Sequence, residues 1–103
     1  MTVGCLYYTD FHADPKILEI CKDKIRQGFG GEIVSVSLNK PVDLGKNIVL
    51  KNHKRSYPTM VKQIILGLKE LTTDVVFFTE ADVLYHKSHF DFQPKRDDIL
   101  YYN

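Results

Sequence analysis

"DVVFFTEADVLYHKSHFDF", residues 74–92, holds a short apolar run followed at once by two acids one residue apart, Glu80 and Asp82. From Val75 to Phe78 apolar and polar residues do not alternate, which predicts a strand covered on both faces within a parallel sheet. Thr72, Thr73 and Asp74 punctuate the chain before it, and Glu80 to Val83 form the loop after it. A carboxylate pair at the carboxyl end of such a strand would stand where parallel α/β sheets gather their ligands.

Upstream, "GCLYYT", residues 4–9, is aromatic and apolar and predicts another strand, closed by Asp10. Asp14 followed by Pro15 is a helix start, with the acid as N-cap and proline in the first turn. Ile17, Leu18, Cys21 and Ile25 share one face of a helix over residues 15–27, with Gly28 expected as its C-cap. "EIVSVSL", residues 32–38, alternates, which predicts a strand whose Ser35 and Ser37 face is less buried. Pro41, Gly45 and Asn47 mark residues 39–47 as a loop, followed by a short strand at residues 48–50. A polar, basic loop over residues 51–58 leads into a second helix that begins at Ser56 or Tyr57. Met60, Val61, Ile64, Ile65, Leu68 and Leu71 follow its 3.6-residue repeat. Residues 84–90 suit a short helix and residues 99–102 a final strand.

Strands alternating with helices predict an α/β protein, a three-layer α/β/α sandwich around a mainly parallel sheet with right-handed crossovers. The loops at Asp10 to Asp14, Lys51 to Ser56 and Glu80 to Val83 then share one sheet edge. The chain's 103 residues fit a single domain. Fourteen basic residues against thirteen acidic ones give a net charge of +1, without the basic excess of a general nucleic-acid binder. Met1 to Asp10 has no signal-peptide pattern, and no apolar run approaches the roughly 20 residues of a membrane helix. Cys5 and Cys21 lie among apolar neighbours and read as buried thiols, a single disulfide being the alternative. The expected location is cytoplasmic.

Four groups of residues could carry chemistry. Glu80 and Asp82 can offer oxygen ligands to a hard divalent cation, Mg²⁺ or Mn²⁺, which completes its shell with phosphate oxygens and water; otherwise they are solvated loop acids. Lys51, His53, Lys54 and Arg55 precede a helix whose N-terminal amides favour an anion, and Arg55 can fork onto a phosphate; otherwise they form a solvated basic loop. Asp10 and His12 end the first strand, with Asp14 accounted for as a cap. His86 and His89, three residues apart, lie on one helical side near Asp82 and either contact a metal or phosphate or simply cap and pack. Tyr7, Tyr8, Phe77 and Phe78 read as strand core.

With the strand, its Glu80-Ala81-Asp82 ending and the helix before it in view, "DVVFFTEADVLYHKSHF" resembles the central strand and DxD segment of GT-A fold glycosyltransferases, the nucleotide-diphospho-sugar transferases. The resemblance extends over most of the chain, its specific part being the DxD-like tripeptide, in which glutamate stands at the first acid. It implies a GT-A/Rossmann-like domain that holds Mn²⁺ or Mg²⁺ and a nucleotide sugar. Glu80 and Asp82 would bind the metal, Thr9 and Asp10 the nucleoside, and Arg55 with Lys54 the diphosphate; His86 and His89 are secondary candidates. Members of this family are usually much longer, so the resemblance also implies a truncated or minimal form, the donor-binding part without the acceptor-binding half. Asp10-Phe11-His12 is similar to the start of a metallophosphoesterase site, but no Gly-Asp pair follows the second strand. A further alternative is a non-catalytic domain of this fold that acts through self-association, as a homodimer.

Overall fold

A computed structural model describes residues 2–91. The element order is β1 (Val3–Thr9), α1 (Pro15–Gly28), β2 (Glu32–Leu38), β3 (Lys46–Leu50), α2 (Tyr57–Glu70), β4 (Val75–Glu80) and a 3₁₀ turn (Lys87–Asp91). The expected strand at residues 99–102 lies outside the described residues. The four strands form one all-parallel sheet in the order β3-β2-β1-β4. No helix among the described residues is long and apolar enough to cross a membrane.

Both helices start as their caps dictate. The Asp14 carboxylate accepts the Lys16 amide proton, and the Ser56 hydroxyl accepts that of Thr59. Helix α1 does not end on a left-handed glycine. Gly28 is its last helical residue, and Phe29 leaves in an extended conformation, which carries the Phe29 ring into the core against Phe77. On one face of the sheet, Ile25 and Phe29 pack with Cys5, Tyr7, Leu44 and Phe77. On the other, Leu71 and Ile64 pack with Leu6, Val34 and Val36.

Two strands differ from the sequence expectation in burial or place, and β3 starts at Lys46 rather than at residue 48. Strand β2 lies inside the sheet, and Ser35 and Ser37 are both fully buried. Residues 39–45 cover them. This stretch runs back along the sheet to bring β3 parallel to β2, with Val34 opposite Lys46 and Leu38 opposite Leu50. A parallel return usually takes a helix and a dozen or more residues; here an extended strap spans the distance. Leu44 of the strap joins the core, its carbonyl accepts a hydrogen bond from Ser35 Oγ at 2.6 Å, and Asn47 Nδ2 donates to both serine hydroxyls. Gly45 turns the strap at φ +56°, where a Cβ would lie 2.2 Å from the Ile33 carbonyl oxygen. Strand β4, in contrast, is an edge of the described sheet, and Phe78 is 40% exposed.

Helix α2 approaches the sheet along Thr59, Gln63 and Gly67 rather than along its most apolar stripe; Ile65 and Leu68 remain exposed. A Cβ on Gly67 would sit 2.1 Å from Leu6 Cδ1, so the missing side chain sets how closely helix and sheet meet.

Candidate functional site

The carboxyl ends of all four strands lie along one edge. Strand order reverses between β1, which leads to β2 and β3 on one side, and β4 on the other. Splayed loops at such a switch point leave a crevice. A cleft of about 430 Å³ opens there, with Thr9 and Asp10 from the end of β1, Arg55 and Gln63 from the α2 side, and Glu80 and Asp82 from the end of β4 among its lining. Its volume lies in the range of small-molecule sites.

Asp10 and Arg55, 45 residues apart in sequence, meet across the cleft with Arg55 Nε 2.6 Å from Asp10 Oδ2. Asp10 Oδ1 also accepts the His12 amide proton, and Thr9 Oγ1 accepts that of Phe11. These two short loops hold Phe11 at φ +61°, and Asn39 and Asn52 are left-handed as well. All three follow strand ends, on the edge that carries the cleft. Non-glycine residues rarely occupy this region. Two of the three are tied down: the Phe11 amide by Thr9 Oγ1, with Lys40 Nζ 4.4 Å from its ring centroid, and Asn39 by its side chain, which bonds the His53 backbone through both its oxygen and its nitrogen.

Glu80 is the last residue of β4, and Asp82 lies in the turn that follows it. The Glu80 amide donates to the Tyr85 hydroxyl at 2.9 Å, which folds the 81–85 loop back onto β4. Burial, reinforced by the Glu80 carboxylate beside it, pushes the Tyr8 phenol up to about 12. Burial likewise raises the Tyr85 phenol and the Cys21 thiol, and the Asp82 charge adds to both. The carboxylates therefore face neighbours held in their neutral forms. Glu80 and Asp82 are exposed to the cleft. Among the described residues, no three His, Cys, Asp or Glu side chains gather into a metal-holding group. A pair of carboxylates open to solvent suits Mg²⁺ or Mn²⁺, which take one or two carboxylates and fill the remaining positions with phosphate oxygens and water.

The other candidates fall elsewhere. Lys54 is exposed outside the cleft, so Arg55 alone of the basic loop's cations lines it. His53 turns away: its Nδ1 bonds the Lys51 carbonyl and its Nε2 lies 3.2 Å from Lys62 Nζ. His86 caps the 3₁₀ turn, Nδ1 accepting the Ser88 amide proton. His89 stacks 4.7 Å from Tyr85 and 5.1 Å from Phe90, and burial lowers its pKa. Neither histidine lines the cleft. The amides of α2 are also less available than the sequence implies. Ser56 takes the Thr59 proton, Met60 donates to the Ser56 carbonyl, and Pro58 has none to give.

Sequence reasoning passed over Gln63. It is 2% exposed, and its Nε2 donates to the Thr9 carbonyl at 3.0 Å and the Val36 carbonyl at 3.2 Å. The signal was present as Thr59, Gln63 and Gly67, a small-polar-small stripe at four-residue spacing. Reading only apolar positions hid it.

Comparison of the chain with protein-family models, curated proteins and solved structures found no match.

Proposed function

We propose that this is a glycosyltransferase-like domain whose cleft binds a nucleotide-diphospho-sugar through Mn²⁺ or Mg²⁺. The observation that carries the reading is the meeting of Arg55, Asp10, Glu80 and Asp82, from three separate loops, in one cleft at the switch point. Glu80 and Asp82 would hold the cation, which neutralises charge on a diphosphate as it leaves. Asp10 engages Arg55 through Nε, which leaves the terminal guanidinium N–H groups to fork onto phosphate oxygens. Helices that pack against opposite faces support the finer reading of a three-layer, GT-A/Rossmann-like sandwich, and the order β3-β2-β1-β4 matches the first part of a doubly wound sheet. Two buried free thiols support a cytoplasmic setting. The phosphoesterase reading is weaker, because the Asp10 carboxylate is already engaged by Arg55 and the His12 amide.

The test is a thermal-shift titration with UDP, GDP, CDP and dTDP, each with and without Mn²⁺. A Mn²⁺-dependent rise is expected with at least one nucleotide; ligand at 100 times its Kd stabilises by about 2.7 kcal/mol. Asp82→Ala should abolish the rise while leaving the midpoint of the ligand-free protein unchanged. The second reading, self-association without a nucleotide, draws on Ile17 and Ile20, which are 48% and 54% exposed on α1. No response to any nucleotide, together with a dimer by light scattering, would favour it.

A further inference from the structure

Gln63 is an expensive residue for its position. A buried amide costs free energy unless its polar atoms are paired, and a leucine would fill the space between α2 and the sheet without that cost. Its nitrogen is fully used. Both N–H groups point at backbone carbonyls, those of Thr9 and Val36. Carbonyls only accept, so the amide cannot flip without setting its oxygen against them. The orientation of the group is therefore fixed by chemistry.

Its oxygen is different. Oε1 has no hydrogen-bond partner among the described residues, yet no side-chain oxygen sealed from solvent lacks one. Gln63 lines the cleft. Oε1 thus borders the cleft's open space, as an acceptor locked in place from behind by two strand ends. Leu18, Leu38 and Met60 supply apolar wall to the same cleft. The Thr9 and Val36 carbonyls belong to β1 and β2, whereas Glu80 ends β4 and Asp82 lies in the turn after it. The acceptor is thus anchored over β1 and β2, and the acids follow β4, on the other side of β1.

We propose that Gln63 Oε1 reads a ring N–H on the ligand, so that the cleft takes a nucleobase of the lactam or imide type, with that N–H turned toward β2 and the diphosphate toward β4. This rests on the nucleotide reading of the cleft. Uracil, thymine and guanine carry such an N–H; cytosine and adenine have an unprotonated acceptor nitrogen at the corresponding place, which would face the Gln63 oxygen lone pairs. A site built to hydrogen-bond one donor rejects analogues that lack it, because its own buried acceptor is then left unpaired.

The experiment measures binding to the wild-type chain, with Mn²⁺ present, of UDP and GDP, of their N3-methyl and N1-methyl forms, and of CDP and ADP. Binding of UDP or GDP that weakens about tenfold or more on N-methylation is the expected result. Gln63→Met should bind the parent and methylated forms within about twofold of each other, since the acceptor is gone. Equal affinity for parent and methylated nucleotide in the wild-type chain overturns the assignment and leaves the nucleotide reading standing. Preference for CDP or ADP overturns it also. Binding of none of them removes both. Discrimination that persists in a folded Gln63→Met chain moves the recognition to another residue.

Discussion

Gly67 shows how one absent side chain decides a contact. In a helix interior glycine costs about 1 kcal/mol relative to alanine, so Gly67→Ala should stabilise α2 taken alone. The added Cβ would instead meet Leu6 Cδ1 at 2.1 Å, in a core where Leu6 is fully buried. Overpacking of this kind costs about 1–3 kcal/mol. We expect a net loss of stability in urea titration; a gain would mean that Leu6 repacks freely. At this scale the sequence was informative where a residue's chemistry is local: the Asp14 cap stands as its place before Pro15 implies, and the second helix starts at Tyr57, one of the two starts expected, with Ser56 as its cap. It was silent where a residue's part depends on what it meets. Lys54 and Arg55 are neighbours in sequence, but only Arg55 finds a carboxylate across the cleft, and nothing in the pair itself distinguishes them.

The elements were legible by type and less so by position. β2 alternates and β4 does not, yet β2 is buried on both faces and β4 is an edge of the described sheet. Alternation reports polarity, and the serines of β2 are buried because the strap supplies the Leu44 carbonyl and Asn47 the amide that satisfy them. A pattern of hydropathy cannot reveal a partner delivered by a later loop. The strap should consequently matter as much as a helix. Leu44 is 1% exposed, and Leu44→Ala should cost about 2–5 kcal/mol, read from the urea midpoint at unchanged m-value. A surface-loop cost, within about 0.5 kcal/mol, would show that β3 holds its place without the strap.

Across the whole molecule, the edge opposite the cleft is fastened where β1 and β4 begin. The Thr2 amide and hydroxyl both donate to Asp74 Oδ2, and the Asp74 amide donates back to Thr2 Oγ1. Those hydrogen bonds hold the Asp74 carboxyl below its usual value of 3.8. A carboxylate depressed in the folded state contributes stability that is fully present above its unfolded value and is lost as pH falls through its folded one. The melting temperatures of wild type and Asp74→Ala should therefore differ by a constant amount at neutral pH, and converge as the pH drops below 3.8. A gap that does not change with pH would assign the contribution to packing rather than to charge.

The strap also divides the sheet in time. β2 and β3 are joined by residues close in sequence, whereas β4 reaches β1 from 72 residues away, as the Thr2–Asp74 contact measures. Contacts between sequence neighbours form cheaply, and distant ones wait for a large loop to close. The cleft straddles that late seam. During synthesis the site has no existence until β4 docks, and any excursion that peels β4 away erases it while β1, β2 and β3 can stay paired. Opening of the cleft and release of β4 are then one equilibrium seen from two ends.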